Sequence, residues 1–312
     1  MVQDNFRRNM RAPLIVVAVY LLLVLSRIIE TNNWAGENEY VSVIVLQLLV
    51  FLLPSVIYTK IRGGKFALKL RVRPIGAQKI LLSVLGALAL ICGSLLLNIL
   101  FADGIGESDF SLYNTFTATP DGTAESFLYV TLAYAALPAI CEEFFFRSLL
   151  CAEYEKEGLG CALIMSSLFF GMIHFNFGQL IIYFFAGIVL FLTMYATRSV
   201  IGCMCVHFLY NMYGLFGQGF INEVYRTTGS TELFLLILAT LFLLFAALFC
   251  GEASRLYRLY SRKNKLSDYI ETFDDAKKKK RLKKEKMSIG EALLAPPCLV
   301  CYLIFVIAAF FA

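Results

Sequence analysis

The chain holds only two histidines, His174 and His207, and both fall inside strongly apolar stretches. SSLFFGMIHF carries the first and IGCMCVHFLYNMYG the second, with Asn211 one helical turn beyond His207. A third apolar stretch, ALPAICEEFFFRSLLC at residues 136–151, carries Glu142, Glu143 and Arg147. A carboxylate, two imidazoles and an amide can together position and deprotonate a water and steady an oxyanion. The same donors also suit a divalent metal, because imidazole and carboxylate are zinc ligands. Charged groups inside a bilayer cost about 2.5–3.5 kcal/mol each by insertion scales, so such residues are functional candidates by default.

Helical spacing divides the three charges. Glu143 and Arg147 are four apart, share a face and can pair. Glu142 points about 100° away and gains no such partner from its own helix. A structural ion pair therefore accounts for two charges and leaves Glu142 as the candidate general base, since desolvation raises a carboxylate's affinity for a proton. Two schemes stay open. In one, Glu142 takes a proton from water while His207 and Asn211 donate to the oxyanion. In the other, the imidazoles hold zinc and a carboxylate is the base. The HExxH signature of soluble zinc proteases is absent. Asn211 is a poor zinc ligand and a good donor, which favours an orienting role.

The elements that must position these groups read as membrane helices. Of 312 residues, 59% are hydrophobic and 16% charged, with mean hydropathy +0.71, against about 25% charged in a soluble domain. Apolar segments run over 13–30, 40–59, 79–101, 126–150, 159–176, 179–197, 200–217, 232–250 and 292–312. The expected fold is all-α, a polytopic transmembrane bundle of about eight or nine helices around a polar catalytic cavity. It forms one membrane domain over 1–312, with the chemistry in a core at 120–217 and a basic cytoplasmic loop at 251–290. The first apolar run reads as a span, with no small-residue cleavage site after it. Arg7, Arg8, Arg11, the stretch KIRGGKFALKLRVRPIGAQK and the stretch DDAKKKKRLKKEKM are basic, whereas ETNNWAGENE and ADGIGESDFSLYNTFTATPDGTAE are acidic. The positive-inside rule then places the N-terminus and the basic loops in the cytoplasm. The last segment contains Pro296 and Pro297 and can lie at the interface instead of spanning.

The remaining features are bland. The nine cysteines lie mostly in apolar runs and read as small buried hydrophobes, with neither a disulfide framework nor a zinc ribbon. No phosphate loop or dinucleotide loop is present, and the basic runs lack the context that nucleic-acid binding needs. The lysine-rich stretch 261–287 reads as a solvated loop within reach of anionic lipid.

Three short motifs in order resemble a known family. Glu142-Glu143-Phe-Phe-Phe-Arg147, Phe170-Gly-Met-Ile-His174 and His207-Phe-Leu-Tyr-Asn211 are similar to the EExxxR, FxxxH and Hxxx(N/B) motifs of the CPBP intramembrane proteases. That family, also called the Abi or CAAX-protease family, includes the eukaryotic endopeptidase that trims prenylated CAAX proteins. The resemblance implies a helical membrane endopeptidase acting on a peptide or protein presented at the bilayer. By carry-over, Glu142 and His174 would activate the water, His207 and Asn211 would complete the site, and Glu143, Arg147 and Phe170 would support it. The family's description as metalloproteases implies zinc held by Glu142, His174 and His207. Other readings compatible with the residues are a proton-coupled transporter and a non-catalytic immunity or scaffold protein.

The resemblance sets a geometric demand. If segments four and five were straight, full spans, Glu142 would lie roughly 24 Å along the first, near one membrane face, with His174 near the other. Pro138, four residues before Glu142, is the expected bend that resolves this.

Overall fold

The computed structural model describes residues 2–31, 39–101, 124–264 and 288–310, and among these the regular structure is entirely helical. The acidic stretches at 32–38 and 102–123 and the lysine-rich run at 265–287 lie outside the described residues, as do the side chains of Arg7 and Arg8. The sidedness expected from those charges therefore remains a proposal.

Ten helices, besides a single turn at Gly64–Ala67, organise the described chain. They are α1 (Val2–Thr31), α2 (39–62), α3 (Ala77–Phe101), α4 (124–154), α5 (Leu159–Met172), α6 (Leu180–Thr197), α7 (200–228), α8 (Thr231–Asn264), α9 (Ile289–Leu293) and α10 (Pro296–Phe310). Each expected apolar segment is helical. Six helical stretches are long and apolar enough to cross a membrane: Val43–Arg62, Ala77–Phe101, Phe127–Tyr154, Leu180–Thr197, Val200–Gly217 and Thr231–Tyr260. Arg11–Ser26, Leu159–Met172 and Pro296–Phe310 are shorter apolar helices. Helix α8 continues without a break through residues 251–264, where the sequence had suggested a loop.

Helix α4 is the axis of the assembly. From Cys141 to Tyr154 nearly every residue is buried, whichever way it points. A helix apolar on all sides is stable only when neighbours surround it, and α2, α5, α6 and α7 all pack on this stretch. Cys141, Phe145, Phe146, Leu149 and Leu150 are fully enclosed.

Two prolines shape the helices that face each other at this depth. A proline ring clashes with the carbonyl four residues earlier and supplies no N–H. For Pro54 that carbonyl belongs to Val50, and for Pro138 to Tyr134. In both helices the stretch holding that carbonyl is a π-helical turn, Leu48–Leu52 and Thr131–Ala136. The wider turn accommodates the ring, and each helix runs on. A third π-helical turn, Phe144–Leu150, begins directly after Glu143. Such turns recur at functional sites.

The depth problem is solved at the end that α4 and α5 share. The 14 residues of α5 end at Met172, so it is not the full span that the segment 159–176 suggested. Helices α4 and α5 are joined by the turn at Glu155–Gly158, and depth in both can be counted from that shared end. At 1.5 Å per residue Glu142 lies about 18 Å in from Tyr154 and His174 about 22 Å in from Leu159. The two groups lie at similar depths because α4 runs on to Tyr154, four residues past the expected segment, which sets Glu142 deeper from the shared end. After α5 the chain turns through Phe175, a bulky buried residue with φ of 48°. A left-handed conformation at such a residue is costly and tends to mark functional sites.

Helices α5 and α6 can approach because Gly187 has no side chain. A Cβ there would lie 2.7 Å from the Cα of Ser167, a backbone atom that cannot swing away. The Gly187→Ala variant is expected to lose about 1–3 kcal/mol of stability, read as a lower thermal midpoint of the detergent-solubilised protein. An unchanged midpoint would mean that the helices separate freely and that the close approach carries no constraint.

Candidate active site

Glu143 is the hub of the polar cluster. Its side chain is fully buried on α4, with Arg147 Nε 3.2 Å from its Oε2. That contact is an ion pair whose geometry lies off the axis of a hydrogen bond. On its other oxygen, Oε1, Glu143 accepts from His207 Nδ1 at 3.0 Å, across 64 residues of sequence. One carboxylate thus joins α4 to α7. With Nδ1 committed to Glu143, Nε2 is the ring nitrogen left for chemistry, and the imidazole's orientation is fixed.

Arg147 is the largest fully buried side chain among the described residues. Its Nη2 donates to the Gly187 carbonyl at 3.3 Å, so the absent side chain on α6 also opens the way to this acceptor. The guanidinium lies over the Phe170 ring at 4.3 Å, a contact that favours a cation on the aromatic face. Phe170 in turn meets both histidines edge-on, with ring centroids 5.6 Å from His174 and 5.6 Å from His207. The ring on α5 therefore spaces the two imidazoles and carries no chemistry itself. His174 stacks on Tyr183 of α6 at 3.7 Å.

Glu142 lies beside this network and outside it. The residue is buried, and Gln47 Nε2 of α2 donates to its Oε1 at 3.3 Å. Its other oxygen, Oε2, is buried with no hydrogen-bond partner among the described residues. The two adjacent glutamates differ as their helical positions require. Glu143 faces a cation and an imidazole, and Glu142 faces one neutral amide. Asn211, one turn after His207, is half-buried, with no hydrogen bond to its side chain among the described residues.

Of the seven residues singled out in the sequence, Glu143, Arg147, Phe170, His174 and His207 are joined by these contacts, Glu142 adjoins Glu143 in the chain, and Asn211 lies one turn past His207. Gln47 was not among them. Its signal was a lone amide in the apolar run VSVIVLQLLVFLL. It also borders a cavity whose walls are mostly apolar, including Leu46, Val50, Phe51, Ile173 and Phe175. The last two flank His174 in sequence. Among the described residues no three His, Cys, Asp or Glu side chains group closely enough to hold a metal ion. No step below is routed through a metal.

Residues 124–213 match the family model described as type II CAAX prenyl endopeptidase Rce1-like. The match opens at the start of α4 and closes just past Asn211, so it contains all three motifs. The chain is related to the CPBP/CAAX proteases. At the family level this supports a CAAX-type intramembrane protease, and the six apolar helices indicate an integral membrane protein. No curated protein and no solved structure matches the chain.

The two glutamates should separate in a stability measurement. Glu143→Ala leaves Arg147 buried without its carboxylate and is expected to cost about 3–5 kcal/mol. Glu142→Ala removes a carboxylate with a single neutral partner and should cost far less. Unfolding of the two variants in the same detergent checks this, and equal losses would contradict the division of roles.

Proposed function

We propose that the protein is an intramembrane endopeptidase that hydrolyses peptide bonds of membrane-associated substrates with a water activated by Glu142 and His174. The observation that carries this reading is the unsatisfied Oε2 of Glu142, a buried acceptor at the level of both histidines. A buried carboxylate with an empty acceptor position is costly. It is suited to accept a proton from a water that a substrate brings against it.

In this scheme the water oxygen attacks the scissile carbonyl carbon as its proton passes to Glu142. The Asn211 amide donates to the oxyanion of the tetrahedral intermediate, an interaction that strengthens as charge develops there. Glu142 then delivers the proton to the leaving nitrogen as the C–N bond breaks. His174, held between Tyr183 and Phe170, aligns the water. His207, oriented by Glu143, presents Nε2 to the reacting groups. The apolar walls beside Gln47 suit the apolar part of a substrate, in keeping with CAAX-like tails or leader peptides as the substrate class.

Glu142→Gln should abolish cleavage of a peptide substrate by the purified full-length protein while its thermal midpoint stays near that of the parent. Cleavage retained by this variant would end the reading. Because the scheme uses no metal, the parent's rate should survive dialysis against a chelator. A loss restored by added zinc would replace it with a metal-held water.

Gln47 adds a finer expectation. Gln47→Met keeps the length of the side chain and removes the donor to Glu142. Losing the one donor that holds Glu142 frees the carboxylate from its position, so kcat should fall roughly 10-fold to 100-fold with KM little changed. An equal rise in KM at constant kcat would instead make Gln47 a substrate-binding residue.

A further inference from the structure

The connection between α2 and α3 carries seven basic side chains and no acidic one over residues 60–79. Three of them are engaged. Arg62 Nε donates to Glu153 at 2.7 Å, Arg71 Nη1 donates to Glu155 at 2.5 Å, and the Lys79 ammonium sits 5.9 Å from the Tyr260 ring centroid. Lys60, Lys65, Lys69 and Arg73 are exposed, with no ion pair among the described residues. Interleaved with them are large apolar side chains: Leu68 is 79% exposed, Ile61 77% and Val72 57%. Leu68 and Val72 lie beyond the apolar span that ends at Arg62, so hydrocarbon around that span does not account for them.

This segment is fixed to the protein on its inner side. Phe66 and Leu70 are buried, and Phe66 packs edge-on against Tyr58 at 5.8 Å. Ser148 Oγ donates to the Leu70 carbonyl at 2.7 Å, and the Val200 amide donates to the Arg71 carbonyl at 3.0 Å. The Ser199 hydroxyl donates to the Arg73 carbonyl. Arg71 itself turns the backbone at φ of 55°, with its guanidinium 4.3 Å from the Tyr195 ring centroid. The outward side chains are therefore displayed from a rigid base at the ends of two spans, where headgroups lie.

A solvated face would present polar side chains throughout. Alternation of free cations with leucine-sized apolar groups is instead the pattern of a surface that enters the headgroup–acyl boundary of an anionic membrane. We propose that residues 60–73 form a fixed platform that binds anionic phospholipid, with Lys65, Lys69 and Arg73 on the phosphates and Leu68 among the acyl chains. Free phosphate could use the cations but would gain nothing from Leu68 or Ile61, so the occupant is lipid.

The test uses the purified full-length protein in neutral detergent. Bound lipid is counted by native mass spectrometry as phosphatidylglycerol or phosphatidylcholine with identical chains is added. The parent should retain phosphatidylglycerol in preference to phosphatidylcholine. The triple variant Lys65→Gln, Lys69→Gln, Arg73→Gln should bind it on the order of 100-fold more weakly, from the attraction of each basic residue to an anionic surface. Leu68→Ser should weaken retention of both lipids. Arg226→Gln, at a surface charge already facing Glu223, should change nothing. Equal retention of the two lipids by the parent, unchanged retention by the triple variant, or displacement of the lipid by millimolar glycerol phosphate would each overturn the proposal.

Discussion

A single carboxylate organises the centre of this protein. Glu143 is enclosed on α4 and would be intolerable there alone, because an unpaired buried charge carries its full desolvation penalty. Arg147 one turn away and His207 on α7 offset that penalty together. Each partner is then held by others: Arg147 by the Phe170 ring and the Gly187 carbonyl, His207 by the Phe170 edge. The order of the site follows from satisfying one charge. Helices α4, α5, α6 and α7 each contribute a group to it, and a shift of any one of them would leave a charge or a polar atom unmet.

That requirement explains the irregular helices. Regular α-helices that each crossed the full bilayer would put Glu142 and His174 at different depths. The protein avoids this by running α4 on to Tyr154 before the turn into α5, and it turns the chain at Phe175 once His174 is reached. It tolerates Pro54 and Pro138 by widening the turn before each into a π-helical one. Those widened turns lie next to Gln47 and a few residues before Glu142, the pair that meets across α2 and α4. Irregular backbone is affordable at membrane depth only where protein surrounds it, and the buried half of α4 meets that condition.

Much of this was legible in the residues. The spacing of Glu143 and Arg147 implied their pairing, and the three motifs singled out the residues that share the site. The apolar runs marked the nine longer helices but not the short α9. Other features were hidden because they depend on contacts between distant parts of the chain. Nothing in the spacing of Glu143 and His207 foretold a 3.0 Å contact across 64 residues. The run 159–176 is apolar enough to read as a span, and only its packing shows that the helix stops at Met172. Pro138, the expected bend, lies within a helix that continues from 124 to 154, and the run of that helix on to Tyr154 does more to align the depths. Gln47 escaped notice because one amide in an apolar run has no periodicity to declare it.

The two adjacent glutamates then make an argument about function from energetics alone. They have the same chemistry, sit on the same helix and are both buried, so the difference between them is their surroundings. Glu143 is neutralised and cross-linked, and its burial holds helices together. Glu142 receives one hydrogen bond from a neutral amide, and its second oxygen meets no donor among the described residues. An apolar residue at that position would cost the fold less. A group that lowers stability where its neighbour raises it is kept for an event absent from the resting protein. The arrival of a water and a carbonyl between Glu142, the histidines and the amide of Asn211 would supply the missing donor and use it.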